Sequence, residues 1–252
     1  MKKRIQHEIP TADTILEMNF NPDRSAWNGF PDVAIQADES AVKKHPDYPA
    51  AKSGDIEAAK RLTLAFIGEN EIQSLRTALG NAKPIVAAVQ AIEEAGENVI
   101  PTAMGGLIAV RLGLEIDDDI VQINRVGRTG SGGFYRLAIQ PLFDGAVTRG
   151  RDYLLVDDFI GQGGTLANLK GHIEANGGRA LFATTLTGKP YSARLSLTNE
   201  SLEALRNKHG TALEKWWKKE FGYGFDRLTE SEARYLVNTP DVDTIRNRIV
   251  EA

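Results

Sequence analysis

The sequence predicts an α/β domain with a mostly parallel sheet flanked by helices, an N-terminal cap and a C-terminal helical extension. Between residues 84 and 181, short apolar runs alternate with helical patterns, which is typical of a parallel sheet. The runs that we predict as strands cover residues 85–89, 120–126, 153–156 and 180–185. We expect three parts, namely a cap over residues 1–83, a core over 84–190 and a helical extension over 191–252.

The two ends of the chain differ in pattern. The first 55 residues are rich in Pro, Asp and Asn and show little periodicity, so we predict irregular structure there. Apolar spacing over residues 55–79 predicts helices broken near Gly68. After residue 188 the chain turns helical again, and Thr229 with Glu232 forms a capping-box pattern. The helices predicted there cover residues 202–208, 213–221 and 233–237.

Residues 84–112 allow two interpretations. In the preferred one, a strand over 85–89 is followed by a loop over 90–98 and a helix over 100–112. Pro101 then lies at an early helix position, where its missing N–H costs nothing. In the second, a helix comes first, residues 98–103 form the strand, and the loop follows. That version leaves too short a crossover helix before the next strand.

Bulk composition excludes several classes of function. The 252 residues are 42% hydrophobic and 25% charged, which suits one large globular domain or a core with terminal additions. With 30 basic and 34 acidic residues, the net charge of -4 gives no footprint for non-specific nucleic-acid binding. The chain has no cysteine, which excludes disulfides, thiolate metal sites and cysteine nucleophiles.

The same sequence predicts a cytoplasmic protein that binds neither nucleic acid nor membrane. The basic start is not followed by an apolar signal-peptide core, and the longest apolar stretches fall short of the ~20 residues of a membrane span. Trp216 and Trp217 lie among lysines, where helix geometry buries at most one of them well. The second tryptophan is consistent with a homodimer interface.

The most informative segment covers residues 153–165. A buried-strand run ends in Asp157 and Asp158, and a helix over 166–175 follows. The turn between them, which we call the glycine turn, is Gly161-Gln162-Gly163-Gly164-Thr165. At the carboxyl end of a parallel strand, such a turn lets backbone N–H groups approach a phosphate beside a helix N-terminus. The two carboxylates suit the vicinal hydroxyls of a ribose, directly or through Mg2+.

An Asp pair or a Gly-Gly-Thr turn alone is usually structural, but together they are informative. Four apolar residues, two acidic residues, a short spacer and Gly-Gly-Thr resemble the donor-binding motif of type I phosphoribosyltransferases. The resemblance covers residues 84–186. It implies that Asp157 and Asp158 hold the ribose and Mg2+, and that the glycine turn holds the 5′-phosphate. The family commonly has threonines where this chain has Gly161 and Gln162, so backbone or amide contacts would replace a hydroxyl.

The resemblance also implies a mobile lid over residues 124–136, which would close over the donor and exclude water. The glycines in this stretch make a flexible lid plausible on physical grounds. Its positive charge would come from three arginines, which we predict as catalytic together with the two aspartates: Arg125, Arg128 and Arg136.

In the same family, the loop after the first core strand holds the pyrophosphate group. The candidates in this chain are Gln90, Glu94, Gly96 and Asn98. Glutamates 93 and 94 would either take part in a magnesium site or face solvent. In the second interpretation of residues 84–112, residues 103–106 would hold pyrophosphate through backbone amides. His45, Lys52 and Asp55 form a polar cluster that is either a solvated helix start or part of the cap that holds the acceptor.

The resemblance implies a magnesium-dependent pentosyltransferase. It would transfer a phosphoribosyl group from 5-phosphoribosyl 1-diphosphate to a nucleobase or a related acceptor and release pyrophosphate. The alternative is a non-catalytic regulator that binds the same small molecules, and the residues at 161 and 162 favour it. A dinucleotide-binding oxidoreductase is disfavoured, because the turn lacks Gly-x-Gly-x-x-Gly spacing and the acidic pair precedes it.

Overall fold

The computed structural model of the protein describes residues 21–93, 96–127 and 131–252. Its strands are β1 (Ala34–Ile35), β2 (Ile85–Ala88), β3 (Ala91–Glu93), β4 (Gly96–Asn98), β5 (Ile116–Asp117), β6 (Val121–Gln122), β7 (Phe143–Asp144), β8 (Asp152–Ile160) and β9 (Arg179–Gly188). The main sheet has the order β1-β9-β8-β2-β5, and every pair in it is parallel. Two antiparallel ribbons, β3 with β4 and β6 with β7, lie outside it.

Helices cover both faces of this sheet and form the C-terminal part of the chain. They are α1 (Glu39–Lys44), α2 (Tyr48–Lys52), α3 (Ile56–Phe66), α4 (Glu69–Leu79), α5 (Ile100–Leu112), α6 (Gly133–Ala138), α7 (Gly164–Ala175), α8 (Asn199–Phe221), α9 (Glu230–Val237) and α10 (Val242–Val250). Over the ranges that the structure describes, no helix combines the length and the apolar character needed to cross a membrane.

Side chains of the central strand β8 contribute to the hydrophobic layers on both faces of the sheet. Leu154 and Val156 pack into one buried cluster with α3, α4 and α5, whereas Tyr153 and Leu155 pack into another with α7. Successive side chains of a strand point to opposite faces, so an uninterrupted apolar run is needed where both faces are covered. The predicted fold class, a mostly parallel sheet flanked by helices with a helical extension, is confirmed.

Several individual elements are confirmed. Residues 85–88 are a strand and 100–112 a helix with a proline in its first turn, so the preferred interpretation of residues 84–112 is correct and the second is wrong. Gly68 caps α4 directly after α3, as the predicted break required. In the extension, Gly210 with φ 73 interrupts α8 between the two predicted helices.

The strand predicted over residues 120–126 is wrong. The strand that pairs with β2 on the side away from β8 is β5, and residues 121–122 form β6 in a separate ribbon. Gly113 ends α5 with φ 64, and the chain joins the sheet at once, since the N–H of Val86 donates to the Glu115 carbonyl at 2.8 Å. The Asp117 carboxylate then accepts bonds from two following backbone N–H groups, which is the local bonding that turns a chain.

The irregular structure predicted for the first 55 residues is also corrected. The described part of this stretch contains β1, α1 and α2, and β1 forms an edge of the main sheet against β9. A strand of two residues and helices of five or six residues are too short to show a period in the sequence. The division into cap, core and extension stays a prediction.

The C-terminal extension has its own core. Trp217 is fully buried and stacks near Phe221, Tyr223 and Phe225, while Trp216 is only partly buried and packs against this cluster. The capping box is confirmed at Thr229 and Glu232, although α9 begins at residue 230 instead of 233. One of the two adjacent tryptophans is thus buried, as the helix geometry predicted.

A buried ion pair joins the segment before β1 to the extension. Both guanidinium Nη atoms of Arg24 donate to the Glu232 carboxylate at 2.9 Å, and the two side chains are 1% and 2% exposed. Arg24 Nε donates to Asn168 of α7, and Arg24 Nη2 donates to Gln140 at 3.1 Å. Burial alone would lower the pKa of Arg24, but the charge of Glu232, the neighbouring Tyr223 and the hydrogen bond to Glu232 together outweigh burial, and the pKa is raised. Arg24 therefore connects α7 and α9.

Replacing Glu232 by Gln should leave the buried guanidinium without its counter-charge. We expect the variant to lose about 3 kcal/mol of the free energy of unfolding, because removing one partner of a buried pair leaves the charge of the other uncompensated. Urea denaturation followed by circular dichroism measures this. The exposed Glu203 of α8 provides the control, and E203Q should unfold like the wild type. A loss below about 1 kcal/mol for E232Q, the range of an exposed pair, would contradict the role given to Arg24.

Candidate functional site

A cleft of about 1380 Å³ opens at the carboxyl edge of the sheet. The cleft is lined by residues of α1 and α2, the hairpin β3–β4, the segment around α6, and the end of β8 with the glycine turn. The start of the extension and α9 complete the lining. Of the residues predicted as site residues, those that line it are Asn98, Arg125, Arg136, Asp157, Asp158, Gly161, Gln162, Gly163 and Thr165. The structure therefore brings together most of the predicted donor site.

The Asp pair lies near the end of β8, and both residues are buried. The N–H of Asp158 donates to Asp157 Oδ1 at 2.8 Å. Burial, followed by the charge of Asp158, raises the pKa of Asp157 well above its ordinary value. Two adjacent buried carboxylates repel each other, and hydrogen-bond donors or cations stabilise their charges.

Lys52 meets this requirement from another part of the chain. Its Nζ lies 3.0 Å from Asp158 Oδ2, and α2 carries it over the carboxyl edge of the sheet. No N–H group of the described residues reaches the other carboxylate oxygen, Asp158 Oδ1. The sequence placed Lys52 only in a polar cluster of undecided role, because 106 residues separate it from Asp158.

The glycine turn connects β8 to α7 in a conformation that few other residues adopt. Gly163 caps α7 with φ 84, in the left-handed region that favours glycine. A Cβ on Gly163 would also collide with the side chain of Leu195. The carbonyl of Gln162 accepts a 2.6 Å bond from Thr229 Oγ1. Both packing and backbone conformation therefore require a glycine at 163.

The turn exposes several unpaired polar groups. Among the described residues, no acceptor receives the backbone N–H of Gln162 or Gly163. Gly164 and Thr165 begin α7, so their N–H groups also lack partners within the helix. The partial positive charge of a helix N-terminus adds to these donors. This arrangement suits a phosphate.

Two of the three predicted arginines line the cleft. Arg136 lies on α6 beside the glycine turn, and a Cβ on Gly161 would come within 2.7 Å of its Nη1, so glycine permits this approach. Arg136 Nε donates to Ser131 Oγ at 3.3 Å, and Arg125 is exposed at the cleft wall. Arg128 lies outside the described residues. The mobility of the lid stays a prediction.

The predicted pyrophosphate loop is the hairpin of β3 and β4. Asn98 is buried and lines the cleft, and its Oδ1 accepts the N–H of Ile100 at 3.3 Å. Gln90 uses its carbonyl to bind the N–H of Gln122 at 3.0 Å, and Gly96 packs closely against the Ser53 carbonyl. Glu94 lies outside the described residues. Of the three members of this set that the structure describes, Asn98 alone lines the cleft, and the pyrophosphate role stays a prediction.

Charge in the cleft favours an anionic ligand. The described lining residues include three acidic side chains, Glu39, Asp157 and Asp158, and six basic ones: Lys43, Lys52, Arg125, Arg136, Lys189 and Arg234. Glu39 binds both Lys43 and Lys189 at 2.6 Å, so it neutralises part of this surplus. A concave surface with surplus positive charge concentrates polyanions such as phosphate esters.

The Asp pair also provides the oxygen ligands that a magnesium ion would need. The described part of the chain contains no group of three or more His, Asp or Glu side chains that could enclose a metal. Mg2+ commonly binds one or two protein carboxylates together with substrate phosphates and water. Asp157 and Asp158 therefore fit a magnesium ion that shares its ligands with a phosphorylated substrate.

The raised pKa of Asp157 predicts a pH-dependent stability in the metal-free chain. The folded chain keeps a proton that the unfolded chain has lost, so the free energy of unfolding falls as the pH rises from 3.8 through the raised value. D157N removes this titration and should have a higher Tm than the wild type at pH 8, with the difference vanishing below pH 3.8. Calorimetry with chelator measures this, and exposed Asp118 supplies the control, D118N. An equal Tm difference at both pH values would contradict the burial effect.

Comparison with known proteins gives relatives in sequence and in structure. No protein-family model matches the chain. Protein TraN of Escherichia coli is 43% identical over 230 residues, which are 91% of this chain and 51% of TraN. An uncharacterized protein of Haemophilus influenzae is 38% identical over 151 residues, which are 60% of this chain and 34% of that protein. The chain thus spans about half the length of TraN and a smaller share of the second relative.

Solved structures that resemble the chain include the adenine phosphoribosyltransferase of Leishmania tarentolae. It is 18% identical, with 78% of this chain aligned to 79% of that one at a TM-score of 0.35. The sheet topology, and not this alignment, carries the fold assignment. With its parallel sheet, the acidic pair near the end of the central strand and the glycine turn after that strand, the chain has a type I phosphoribosyltransferase-like fold.

Proposed function

We propose that the chain is a phosphoribosyltransferase that uses 5-phosphoribosyl 1-diphosphate and Mg2+. The observation that carries this proposal is one cleft in which the buried Asp pair, near the end of β8, lies next to the unpaired N–H groups of the glycine turn. In a phosphoribosyl ligand the phosphate and the ribose are close together. Such a ligand therefore requires an anion site next to groups that accept hydrogen bonds from the ribose hydroxyls. The acceptor would be a nucleobase or a related compound.

The donor binds through groups on both sides of the turn. Its 5′-phosphate accepts N–H bonds from residues 162–165 at the start of α7, and Arg136 lies beside that position. Its ribose hydroxyls donate to the Asp pair, for which Asp158 Oδ1 is available in the described structure. Lys52 holds the other oxygen, Asp158 Oδ2, and thereby fixes the orientation of this carboxylate.

The reaction breaks the bond between the anomeric carbon and pyrophosphate, and the acceptor forms a new bond to that carbon. Positive charge develops on the ribose in the transition state, and the negative charge of the nearby Asp pair stabilises it. When bound, Mg2+ neutralises charge on the leaving pyrophosphate. No side-chain nucleophile is needed, since the residues bind and orient the two substrates and the lid excludes water.

A second candidate is a regulator that binds the same ligands without turning them over. It is favoured by Gly161 and Gln162, which replace the hydroxyl residues that the family commonly has in the turn. The cytoplasmic localisation and the homodimer stay predictions under both candidates.

Donor binding should depend on the Asp pair. The double variant D157N/D158N keeps the size of both side chains but removes the charges that accept the ribose hydroxyls. We expect it to bind 5-phosphoribosyl 1-diphosphate more weakly by ~1–3 kcal/mol, in line with lost charge-assisted hydrogen bonds. Calorimetric titration in the presence of Mg2+ measures this, with D118N as the exposed control. Unchanged donor affinity in the double variant would refute the assignment of the ribose site.

Magnesium dependence and product release separate the enzyme from the regulator. Binding of 5-phosphoribosyl 1-diphosphate should require Mg2+, whereas binding of a 5′-mononucleotide should not, because the nucleotide lacks the pyrophosphate group. We expect pyrophosphate release when donor, Mg2+ and the correct member of a panel of nucleobases and related compounds are present. Donor binding without release for any acceptor would favour the regulator. Absence of binding to either ligand would contradict both.

A further inference from the structure

Thr229 is the N-cap of α9 in the C-terminal extension, and it contacts the glycine turn. The residue is fully buried, and its Oγ1 donates to the Gln162 carbonyl at 2.6 Å. The same oxygen accepts the N–H of Glu232 at 3.0 Å as the cap of α9. A hydroxyl has one proton and can also accept a hydrogen bond. Thr229 donates its proton to the Gln162 carbonyl in the turn, and its oxygen accepts the N–H of Glu232 in the helix.

This bond sets the direction of a backbone N–H. The peptide between Gln162 and Gly163 is planar and trans, so its C=O and N–H point in opposite directions. With the carbonyl held by Thr229, the N–H of Gly163 points away from α9, and no described acceptor receives it. Gly163 also lines the cleft. The hydroxyl of Thr229 therefore aims a donor at the predicted phosphate position.

Neighbouring contacts hold Thr229 in place. Its own N–H donates to Glu232 Oε2 at 2.9 Å, and Glu232 is bound by the buried Arg24. The N–H of Glu230 donates to the carbonyl of Leu195 at 3.1 Å, and the side chain of Leu195 occupies the space beside Gly163. Thr229 and Leu195, neither of which lines the cleft, thus support the turn.

We propose that Thr229 is a positioning residue for phosphate binding, through which the C-terminal extension sets the geometry of the glycine turn. This inference rests on the proposed function, since it concerns the same phosphate site. Thr229 itself does not touch the substrate. The ligand group that it serves is a phosphate monoester on a sugar, as in ribose 5-phosphate.

Three variants of the full chain test this inference. Thr229→Val keeps the shape but loses the hydroxyl, Thr229→Ser keeps the hydroxyl, and Thr198→Val is the matched control. Thr198 caps α8 in the same way, by accepting the N–H of Ser201 at 3.1 Å. Calorimetric titration with ribose 5-phosphate gives Kd, thermal unfolding gives Tm, and nitrogen-15 NMR follows the amide of Gly163.

We expect Thr229→Val to raise the Kd for ribose 5-phosphate about tenfold and to shift the Gly163 amide resonance. Thr229→Ser should restore both toward the wild type. Thr198→Val should lower Tm by a similar amount, because it also loses a helix cap, but leave Kd unchanged. A purely structural role of Thr229 would affect Tm without this difference in Kd.

A folded Thr229→Val variant with wild-type Kd would overturn the inference and leave the proposed function standing. If Thr229→Val does not fold, titration of the wild type can still overturn the inference, because the Gly163 amide must shift strongly when ribose 5-phosphate binds. Binding without that shift would also overturn the inference. Absence of any binding by the wild type would overturn the proposed function together with the role of Thr229.

Discussion

The buried pair of Arg24 and Glu232 is the interaction on which the arrangement around the site depends. Taking both charges out of water costs several kcal/mol, and only the bidentate geometry with further hydrogen bonds offsets this cost. The pair joins three parts of the chain, namely the segment before β1, helix α7 and the start of α9. Trp27 with Leu228, and Lys170 with Ala26, add hydrogen bonds between the same parts. Because α7 begins at the glycine turn and α9 contacts that turn, the ion pair links the two helices on either side of it.

The site itself results from a conflict at the end of β8. The strand needs apolar side chains on both faces along most of its length, yet its carboxyl end carries two adjacent acidic residues that remain buried. Lys52 compensates one of them, and the pKa of Asp157 rises because burial and Asp158 disfavour its charge. A ligand that offers hydroxyl donors and a cation would relieve this conflict, and perturbed carboxylates of this kind are frequent at functional sites.

The sequence predicted the part of the site whose residues are close along the chain. Residues 153–165 contain the strand, the Asp pair and the turn in one segment, so local patterns sufficed. The contacts of Lys52 with Asp158 and of Thr229 with Gln162 span 106 and 67 residues, and they use residue types that are common everywhere. The strand predicted over 120–126 was wrong for a related reason. Apolar content predicts burial, but it does not tell which segment joins the main sheet. That depends on where α5 ends, at Gly113.

The C-terminal extension is part of the candidate site and not only an addition to it. With Gly161 and Gln162 in place of hydroxyl residues, the turn depends on backbone N–H groups, which bind an anion only when the peptide planes face it. Glycines allow that orientation but do not enforce it, because they populate many conformations. In this chain the orientation is fixed by the hydroxyl of Thr229 at the start of α9 and by the side chain of Leu195, and both residues lie outside the main sheet. A turn without hydroxyl side chains of its own before Gly163 therefore uses one from outside.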